Sequence, residues 1–283
     1  MASLIGKVIV INGGTQGLGE ALARHATANG SAGLVLAGRS RDRGTALAAE
    51  LSAAGTPSIY VEADMYNIDG PSIVAEAAEK RFGVVHGLAN IAAATSRDSI
   101  WTATPESWEA MQALNVRAPY FLLQACARIM TREGVKGSVV NVGSMSGYGG
   151  QPFLMSYCIS KGALNIMTKN AAFALMRHGV RVNQVNPGWM DTESEDAVQR
   201  KFHGATDGWL EAAEAGQPMG RLVKPDEVAN TIAFCLSDES GLMTGSIIDF
   251  DQAVVGAGDA PKPSVAETPT VERQYARNLG ERI

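Results

Sequence analysis

Tyr157 and Lys161 are the two residues of this sequence whose types and spacing point most directly to chemistry. On a helix, a separation of four residues places a phenol and an ammonium on one face, one turn apart. A nearby cation favours the phenolate, so the spacing predicts a tyrosine pKa below its usual value of about 10. A phenol tuned in this way can exchange a proton with a substrate hydroxyl or carbonyl. Alone, such a pair is more often a half-buried ring beside a solvated charge.

The elements that must position this pair are alternating strands and helices. Apolar runs predict strands at residues 8–12, 33–37, 58–62, 87–90, 137–142, 181–186 and 246–250. Helical spacing predicts helices between them, for example at 20–29, 44–53 and 71–82. Strands that alternate with helices of this length form right-handed βαβ units and a parallel sheet covered on both faces. The expected fold class is α/β, a single Rossmann-like doubly wound domain with about seven strands.

A glycine-rich turn, NGGTQGLG at residues 12–19, joins the first predicted strand to the first helix. Its glycines let backbone amides approach a pyrophosphate, and the helix N-terminus adds the positive end of its dipole. Because the turn lies at the first strand-to-helix junction, it predicts a dinucleotide site. The residues expected to bind there are Gly13, Thr15, Gln16, Gly17, Leu18 and Gly19.

The end of the second predicted strand bears on which dinucleotide is bound. Enzymes that use NAD usually carry an acidic residue there, which holds the ribose hydroxyls. Here Gly38 stands at that place, and Arg39 and Ser40 follow. A guanidinium and a hydroxyl suit a 2′-phosphate, so the sequence favours NADP(H), with NAD(H) as the alternative.

With these motifs in place, the sequence resembles the short-chain dehydrogenase/reductase family over residues 5–255. Further motifs stand in the family's order, and Ser144 precedes Tyr157 by the expected thirteen residues. These motifs are Asp64-Met65, LANIAA at 88–93, Leu114-Asn115-Val116, Val142-Gly143-Ser144 and NPGWMDT at 186–192.

The resemblance implies catalytic roles for four residues. Tyr157 is expected to be the general acid/base, and Lys161 to hold the nicotinamide ribose and lower the tyrosine pKa. Ser144 is expected to fix the substrate oxygen, and Asn115 to anchor a water that passes protons to Lys161. From the residues alone, the alternative for Ser144 is a hydroxyl at a strand end that caps the backbone, and the alternative for Asn115 is a helix kink or a buried polar contact.

The resemblance also implies the rest of the cofactor site. The expected contacts beyond the glycine turn are Arg39, Ser40, Asp64, Met65, Asn90, Ala92, Tyr157, Lys161, Pro187, Gly188, Met190 and Thr192. Three residues depart from the family's pattern. Asn12 replaces a threonine that ties the glycine turn to a neighbouring strand, a bond that asparagine can also make. Ile91 replaces an asparagine, and Ala93 replaces a glycine.

The segment that links Ser144 to Tyr157 is expected to line the substrate site. Within it, Ser146 and Gln151 offer hydrogen bonds and Phe153 offers apolar surface, while Trp189 lies in the loop expected beside the nicotinamide. Polar groups beside aromatic faces suit a sugar or polyol, and they also suit a cyclic ketone.

Two segments depart from the strand–helix alternation. Residues 193–218 are rich in charges and aromatics, and we expect a substrate lid whose aromatics Phe202 and Trp209 cover the site. A fixed surface helix pair is the alternative. Residues 259–283 contain several prolines among polar residues and are expected to form an extended tail. The catalytic domain is therefore expected to span residues 1–258.

Bulk composition excludes several classes of partner. The 283 residues carry a formal charge of −5 and include no basic stripe, so nucleic acid and membrane are not expected partners. No signal peptide, membrane span or metal-ligand spacing is evident, and three scattered cysteines fit a reducing compartment, so a cytoplasmic protein is expected. The resemblance implies a homotetramer that pairs through long helices at 108–129 and 157–177.

Three functions compete at this point. The first is an oxidoreductase that transfers a hydride between a nicotinamide cofactor and an alcohol or carbonyl group of a small, sugar- or polyol-like substrate. The second is a 3-oxoacyl thioester reductase, which a basic patch for an acidic carrier protein would favour. The third is a dinucleotide-sensing protein without turnover, a class that typically lacks the tyrosine or the lysine, both of which are present here.

Overall fold

The computed structural model describes residues 2–256, which form a seven-stranded, fully parallel sheet with the order β3-β2-β1-β4-β5-β6-β7. The predicted α/β, Rossmann-like class is confirmed. The strands are β1 (Val8–Asn12), β2 (Gly33–Gly38), β3 (Ser58–Glu62), β4 (Gly87–Asn90), β5 (Ser138–Val142), β6 (Arg181–Pro187) and β7 (Ile247–Phe250).

Helices follow the strands and cover both faces of the sheet. They are α1 (Gly17–Ala28), α2 (Arg41–Ala53), α3 (Gly70–Phe82), α4 (Pro105–Gln112), α5 (Ala118–Arg132), α6 (Met155–Leu175), α7 (Glu193–His203), α8 (Trp209–Ala215) and α9 (Pro225–Leu236). Helices α1, α2 and α9 pack on one face, and α3, α5 and α6 pack on the other. Within residues 2–256, no helix is long and apolar enough to cross a membrane.

The register of the sheet aligns a row of buried amide side chains across four strands. Asn12 pairs with Asn90, Asn90 with Asn141, and Asn141 with Gln184. Thr168 of α6 accepts a hydrogen bond from Asn141 (2.9 Å) and donates one to Gln184 (3.0 Å). Since buried amides are stabilised by satisfied hydrogen bonds, the two bonds of Thr168 to Asn141 and Gln184 fix how α6 lies against the sheet.

Two of the predicted helical segments are shorter or less regular than expected. The helix expected at 108–129 is interrupted, because Ala113–Arg117 form a single π-helical turn between α4 and α5. The helix expected at 157–177 ends at Leu175 and continues as a 3-10 turn, Met176–His178. The predicted tail, 259–283, lies outside the described residues.

Candidate active site

One cavity of about 1010 Å³ lies at the carboxyl ends of the strands and brings together most of the predicted site residues. In open parallel sheets, ligands bind at this edge. The predicted residues that line it are Gly13, Thr15, Gln16, Gly17, Leu18, Arg39, Ser40, Asp64, Met65, Ala92, Ser144, Ser146, Gln151, Phe153, Tyr157, Lys161, Pro187, Gly188, Trp189, Met190 and Thr192.

The glycine turn has the close backbone packing that a pyrophosphate cradle requires. A Cβ on Gly19 would lie 1.9 Å from the carbonyl oxygen of Gly13, and one on Gly13 would lie 2.7 Å from the nitrogen of Ala92. Gly13 and Gly17 also have positive φ angles of 85° and 52°, which favour glycine. The turn therefore keeps backbone and helix N-terminus open toward the cavity, which fits a dinucleotide phosphate.

Asn12 does not make the side-chain hydrogen bond that was expected of it. The side chain is buried, and neither of its polar atoms has a hydrogen-bond partner within residues 2–256. The backbone ties the turn instead: Gly13 N donates to Ala37 O (2.9 Å), and Ala92 N donates to Asn12 O (2.9 Å). Asn12 lies in register with Asn90 in the sheet, but Asn90 Nδ2 donates to Asn141 Oδ1 and not to Asn12.

The adenosine end of the cavity carries two arginines. Arg39 lies over the ring of Tyr66, with 5.6 Å between the guanidinium carbon and the ring centroid. Arg43, which the sequence analysis did not identify, lines the same end, and its Nε donates to Ser40 Oγ (3.2 Å). Neither arginine forms an ion pair with a carboxylate of the described chain, whereas the adjacent Arg41 pairs with Glu62. The sequence could have indicated Arg43, because it lies only three residues after Ser40, in the first turn of α2.

Gly38 also has a steric reason to be a glycine. A Cβ at this position would lie 3.1 Å from the Thr15 side chain, which is buried in the floor of the cavity. A carboxylate side chain there would press on Thr15, so the acidic residue expected in an NAD site does not fit without rearrangement.

Ser144, Tyr157 and Lys161 meet at the other end of the cavity. Ser144 follows β5, and its Oγ accepts a hydrogen bond from Ser146 N (3.1 Å), so it caps a short 3-10 turn as well as lining the cavity. Lys161 is buried, donates to Val142 O (2.7 Å) and lies 5.7 Å from the Tyr157 ring centroid. The constellation that the spacing predicted is therefore present.

The expected lowering of the Tyr157 pKa is not found in the folded chain. Burial raises the pKa of Tyr157 to about 12, and the neighbouring Ser144 hydroxyl acts in the opposite direction. Burial also lowers the pKa of Lys161 to about 8. The prediction from the four-residue spacing considered only the charge of Lys161. It did not include the burial of both side chains, which removes them from water. Desolvation penalises the charged form of each group, and it is the largest cause of both shifts.

Three predicted site residues lie behind the cavity wall. Gly19 packs under the glycine turn, and Asn90 donates to Asn141 Oδ1 (3.0 Å) in the amide row. Asn115, in the π-helical turn, accepts from Ala94 N (2.8 Å) and donates to Ser160 Oγ (3.0 Å). These bonds match the alternative interpretation of Asn115 as a helix irregularity with buried contacts, and its catalytic role stays a prediction.

The segment 193–218 folds as α7 and α8 above the cavity. The residues that flank this segment are joined by a β-bridge, in which Val223 N donates to Trp189 O (3.0 Å) and Asp191 N donates to Val223 O (2.9 Å). At its start, Gln16 Nε2 donates to Ser194 Oγ (2.7 Å), which links α7 to the glycine turn. No residue of α7 is buried, as its charges predicted.

The residues of this segment that face the cavity are not the aromatics that were expected. Phe202 and Trp209 do not line the cavity, and Trp209 stacks on Trp189 with ring centroids 6.2 Å apart. The lining residues are Ser194, Glu195, Gln199, His203 and Gln217. Sequence reasoning missed this because α7 has no buried stripe from which its orientation can be inferred.

Comparison with known proteins agrees with this geometry. A family model described as enoyl-(acyl carrier protein) reductase matches residues 13–253. An NADP-dependent (R)-specific alcohol dehydrogenase from Lentilactobacillus kefiri is 33% identical, covering 86% of this chain and 94% of that protein. Galactitol 2-dehydrogenase from Agrobacterium fabrum is 31% identical, covering 87% and 96%.

Solved structures show the same relationship. A short-chain type dehydrogenase/reductase from Mycobacterium marinum superposes with a TM-score of 0.81 and 26% sequence identity, covering 90% of this chain and 98% of that one. The chain therefore belongs to the short-chain dehydrogenase/reductase family. It is an NAD(P)-dependent oxidoreductase that acts on CH–OH or C=O groups, and the resemblance read from its motifs is confirmed.

The buried charge of Lys161 predicts a specific pH dependence of stability. Its pKa falls from 10.5 to about 8 on folding, so between these values the unfolded chain binds more protons than the folded chain. The penalty for burying the ammonium is complete below pH 8 and is relieved as the pH rises. From pH 8 to 10, the free energy of unfolding of the wild type should rise by about 2–3 kcal/mol relative to Lys161→Met.

Denaturant titrations across this pH range measure the difference. Lys169→Met, which changes an exposed lysine of the same helix, is the matched control and should follow the wild type. If Lys161→Met and the wild type run parallel, the lysine is not desolvated as described.

Proposed function

We propose that this protein is an NADP(H)-dependent oxidoreductase that interconverts an alcohol and a carbonyl group of a small hydroxylated, sugar- or polyol-like substrate. One observation carries the proposal: a single cavity holds Ser144, Tyr157 and Lys161 at one end and two arginines without carboxylate partners in the described chain at the other. The NADP dependence of the Lentilactobacillus kefiri relative and the polyol named for the Agrobacterium fabrum relative support it.

The residues present fit a bound nicotinamide dinucleotide. The glycine turn would hold the pyrophosphate, Asp64 and Met65 the adenine, and Lys161 the nicotinamide ribose, with Arg39 and Arg43 on a 2′-phosphate. The cofactor supplies the hydride that is exchanged with the substrate carbon.

The protein's own residues position the oxygen and move its proton. Ser144 donates a hydrogen bond to the substrate oxygen and places it beside the Tyr157 hydroxyl. Tyr157 donates a proton to that oxygen during reduction and accepts it during oxidation. Because burial holds the Tyr157 pKa near 12, the neutral phenol is the ground state and the reducing direction finds its proton in place. The Ser144 hydroxyl and the Arg97 charge act against this shift. Asn115 is proposed to anchor a water that passes protons to Lys161.

A 3-oxoacyl thioester reductase is the second candidate. The description of the matching family model, enoyl-(acyl carrier protein) reductase, names a different reductase of acyl thioesters and supports only the acyl thioester part of this candidate. The cavity is lined near Tyr157 by Gln151, Gln199 and Glu195, a polar set that suits hydroxyl groups better than an acyl chain. A turnover assay with a 3-oxoacyl thioester and with hexitols, each with both cofactors, separates the two candidates.

Replacing Tyr157 with phenylalanine tests the proton transfer. The variant should lose activity by about 10²–10⁴-fold, because general acid/base groups contribute at this level. Affinity for NADPH should stay within about twofold, since the phenol supplies a proton and little of the binding. Steady-state assays and fluorescence titration of NADPH measure both quantities. Tyr120→Phe, which changes an exposed tyrosine of α5, is the control, and near-normal turnover of Tyr157→Phe contradicts the mechanism.

Replacing the two arginines tests the choice of cofactor. A charge-assisted bond contributes about 1.5–3 kcal/mol, so Arg39→Ala and Arg43→Ala should each weaken NADP binding by tenfold or more. NAD binding should change little, because NAD carries no 2′-phosphate. Arg41→Ala is the matched control, since Arg41 lies between them in sequence and is paired with Glu62. A wild type that binds NAD more tightly than NADP refutes the assignment.

We also propose that the segment 193–218 is a substrate lid of the 1–258 domain. Its contacts with the cavity rim are side-chain hydrogen bonds, such as Gln16 to Ser194, and aromatic contacts, such as Trp209 on Trp189, all of which can break and re-form. Amides of α7 should gain protection in hydrogen exchange only when cofactor and substrate are both bound, while those of α3 stay unchanged. Slow exchange of α7 that is the same in every state means that the segment is a fixed insertion.

The assembly is proposed to be a homotetramer with D2 symmetry that pairs through the segments 108–129 and 157–177. Large apolar side chains project from these helices: Trp108, Tyr120, Phe121, Ile159, Ile166 and Phe173, of which Phe173 is 77% exposed. Such a surface indicates burial against another copy. Light scattering should give a tetramer mass, and Phe173→Asp should reduce it. A monomer mass at micromolar concentration contradicts this assembly.

A further inference from the structure

Arg97 is a guanidinium of the substrate cavity that neither the family motifs nor the proposed proton transfer uses. It lies in the loop after β4 and lines the cavity together with Tyr157, Glu195 and His203. Its Nη1 donates to Thr95 O (2.7 Å), and its Nε donates to His203 Nε2 (3.0 Å). These two bonds fix the plane of the guanidinium.

Two aromatic rings also contact the same group. The guanidinium carbon lies 5.9 Å from the ring centroid of Phe153 and 5.9 Å from that of Phe202. His203 meets Phe153 edge to face, with centroids 5.8 Å apart. Burial lowers the pKa of Arg97, which shows that its charge is partly removed from water. An arginine side chain does not lose its proton in a protein, so the charge persists in the cavity.

Arg97 has no direct carboxylate partner in the part of the chain that the structure describes. It forms no ion pair there, and its Nη2 makes no hydrogen bond. Glu195 is the carboxylate whose charge acts most on Arg97, but it makes no ion pair with the guanidinium, and its Oε1 accepts from Trp189 Nε1 (2.7 Å) and from Gln199 Nε2 (2.7 Å).

Arg181 shows how this fold treats a half-buried arginine with a structural role. It donates to the carbonyl oxygens of Cys235 (3.0 Å) and Ser237 (2.8 Å) and to the Ser240 hydroxyl, so both of its terminal nitrogens are satisfied. Arg97 lines the cavity and instead has one terminal nitrogen, Nη2, with no such partner within residues 2–256. A guanidinium that is held in one plane, partly removed from water and without a hydrogen bond at one terminal nitrogen suits a planar oxyanion.

We propose that Arg97 binds a carboxylate of the substrate, so that the small hydroxylated substrate is an anionic hydroxy or keto acid. This inference rests on the proposed function, because it takes Ser144 and Tyr157 as the groups at the reacting carbon. A carboxylate would accept hydrogen bonds from Nη2 and Nη1 and would neutralise the charge. An uncharged group would leave the guanidinium unpaired, and sites that must pair a buried polar group reject ligands that cannot do so.

Binding is tested without turnover by a matched pair of unreactive probes. Hexanoate and hexanamide have the same chain length and differ at the end group in charge. Calorimetric titration of the wild type, saturated with NADPH, should show at least tenfold tighter binding of hexanoate. In Arg97→Met the preference should disappear, and in Arg97→Lys it should fall but persist, since the charge remains without the fork.

Two further variants distinguish binding by Arg97 itself from two other effects: the overall charge of the protein, and the hydrogen bond that links Arg97 to α7. Arg128→Met removes an exposed cation of α5 and should keep the full preference for hexanoate. His203→Gln alters the link between Arg97 and α7, and it should keep most of the preference if Arg97 itself binds the anion. The inference is overturned if hexanamide binds as tightly as hexanoate, or if Arg97→Met keeps the preference.

Turnover assays then distinguish failure of this inference from failure of the proposed function. With NADP, 5-hydroxyhexanoate should be oxidised with a kcat/KM at least tenfold above that of 5-hydroxyhexanamide, and Arg97→Met should remove the difference. If hexanoate binds through Arg97 but neither alcohol turns over, the proposed reaction on such compounds is wrong and the anion site stands. If both alcohols turn over equally, the reaction stands and the anion site is wrong.

Discussion

The geometry of the site depends on the hydrogen bond that the buried Lys161 ammonium donates to Val142 O (2.7 Å). Val142 is the last residue of β5, and Lys161 lies in the second turn of α6. The bond therefore clamps the start of that helix to the end of that strand. Ser144 lies two residues after the strand and Tyr157 four residues before the lysine, so the same clamp sets their separation. Desolvating an ammonium is unfavourable by several kcal/mol, so the surrounding fold must stabilise this arrangement.

The buried amide row supplies part of that stabilisation. Thr168 lies seven residues after Lys161 on the same face of α6, and it bonds Asn141, the neighbour of Val142 in β5. Helix and strand are thus joined at two successive points. Gly143 must lack a side chain for this to work, because a Cβ there would lie 1.9 Å from Asn186 Oδ1 in the same network. The residues that only support the fold and those proposed to act in catalysis are therefore held by one hydrogen-bond network.

The sequence predicted the strands to within one residue and missed finer features for identifiable reasons. Apolar runs bounded by turn residues mark parallel strands well, but α1 and α2 begin three residues before their predicted starts, since their first turns are glycine-rich or charged. The Tyr157–Lys161 pair followed from spacing, whereas the direction of the tyrosine pKa depended on burial that spacing does not report. Arg97 was missed because it meets His203, 106 residues away, and only the folded chain brings them together.

The charged residues that line the cavity determine which ends of its ligands each part of the cavity can bind. The chain as a whole carries a net charge of −5, yet four cations and only three carboxylates line the cavity: Arg39, Arg43, Arg97 and Lys161 against Asp64, Glu195 and Asp251. A cavity lined by more cations than anions in an acidic protein favours ligands that carry negative charge. With the proposed cofactor and the proposed anionic substrate, phosphate groups meet the arginines at the adenosine end and a carboxylate meets Arg97 at the other. The two anchors would then hold the reacting carbon between them, beside Tyr157, before any proton moves.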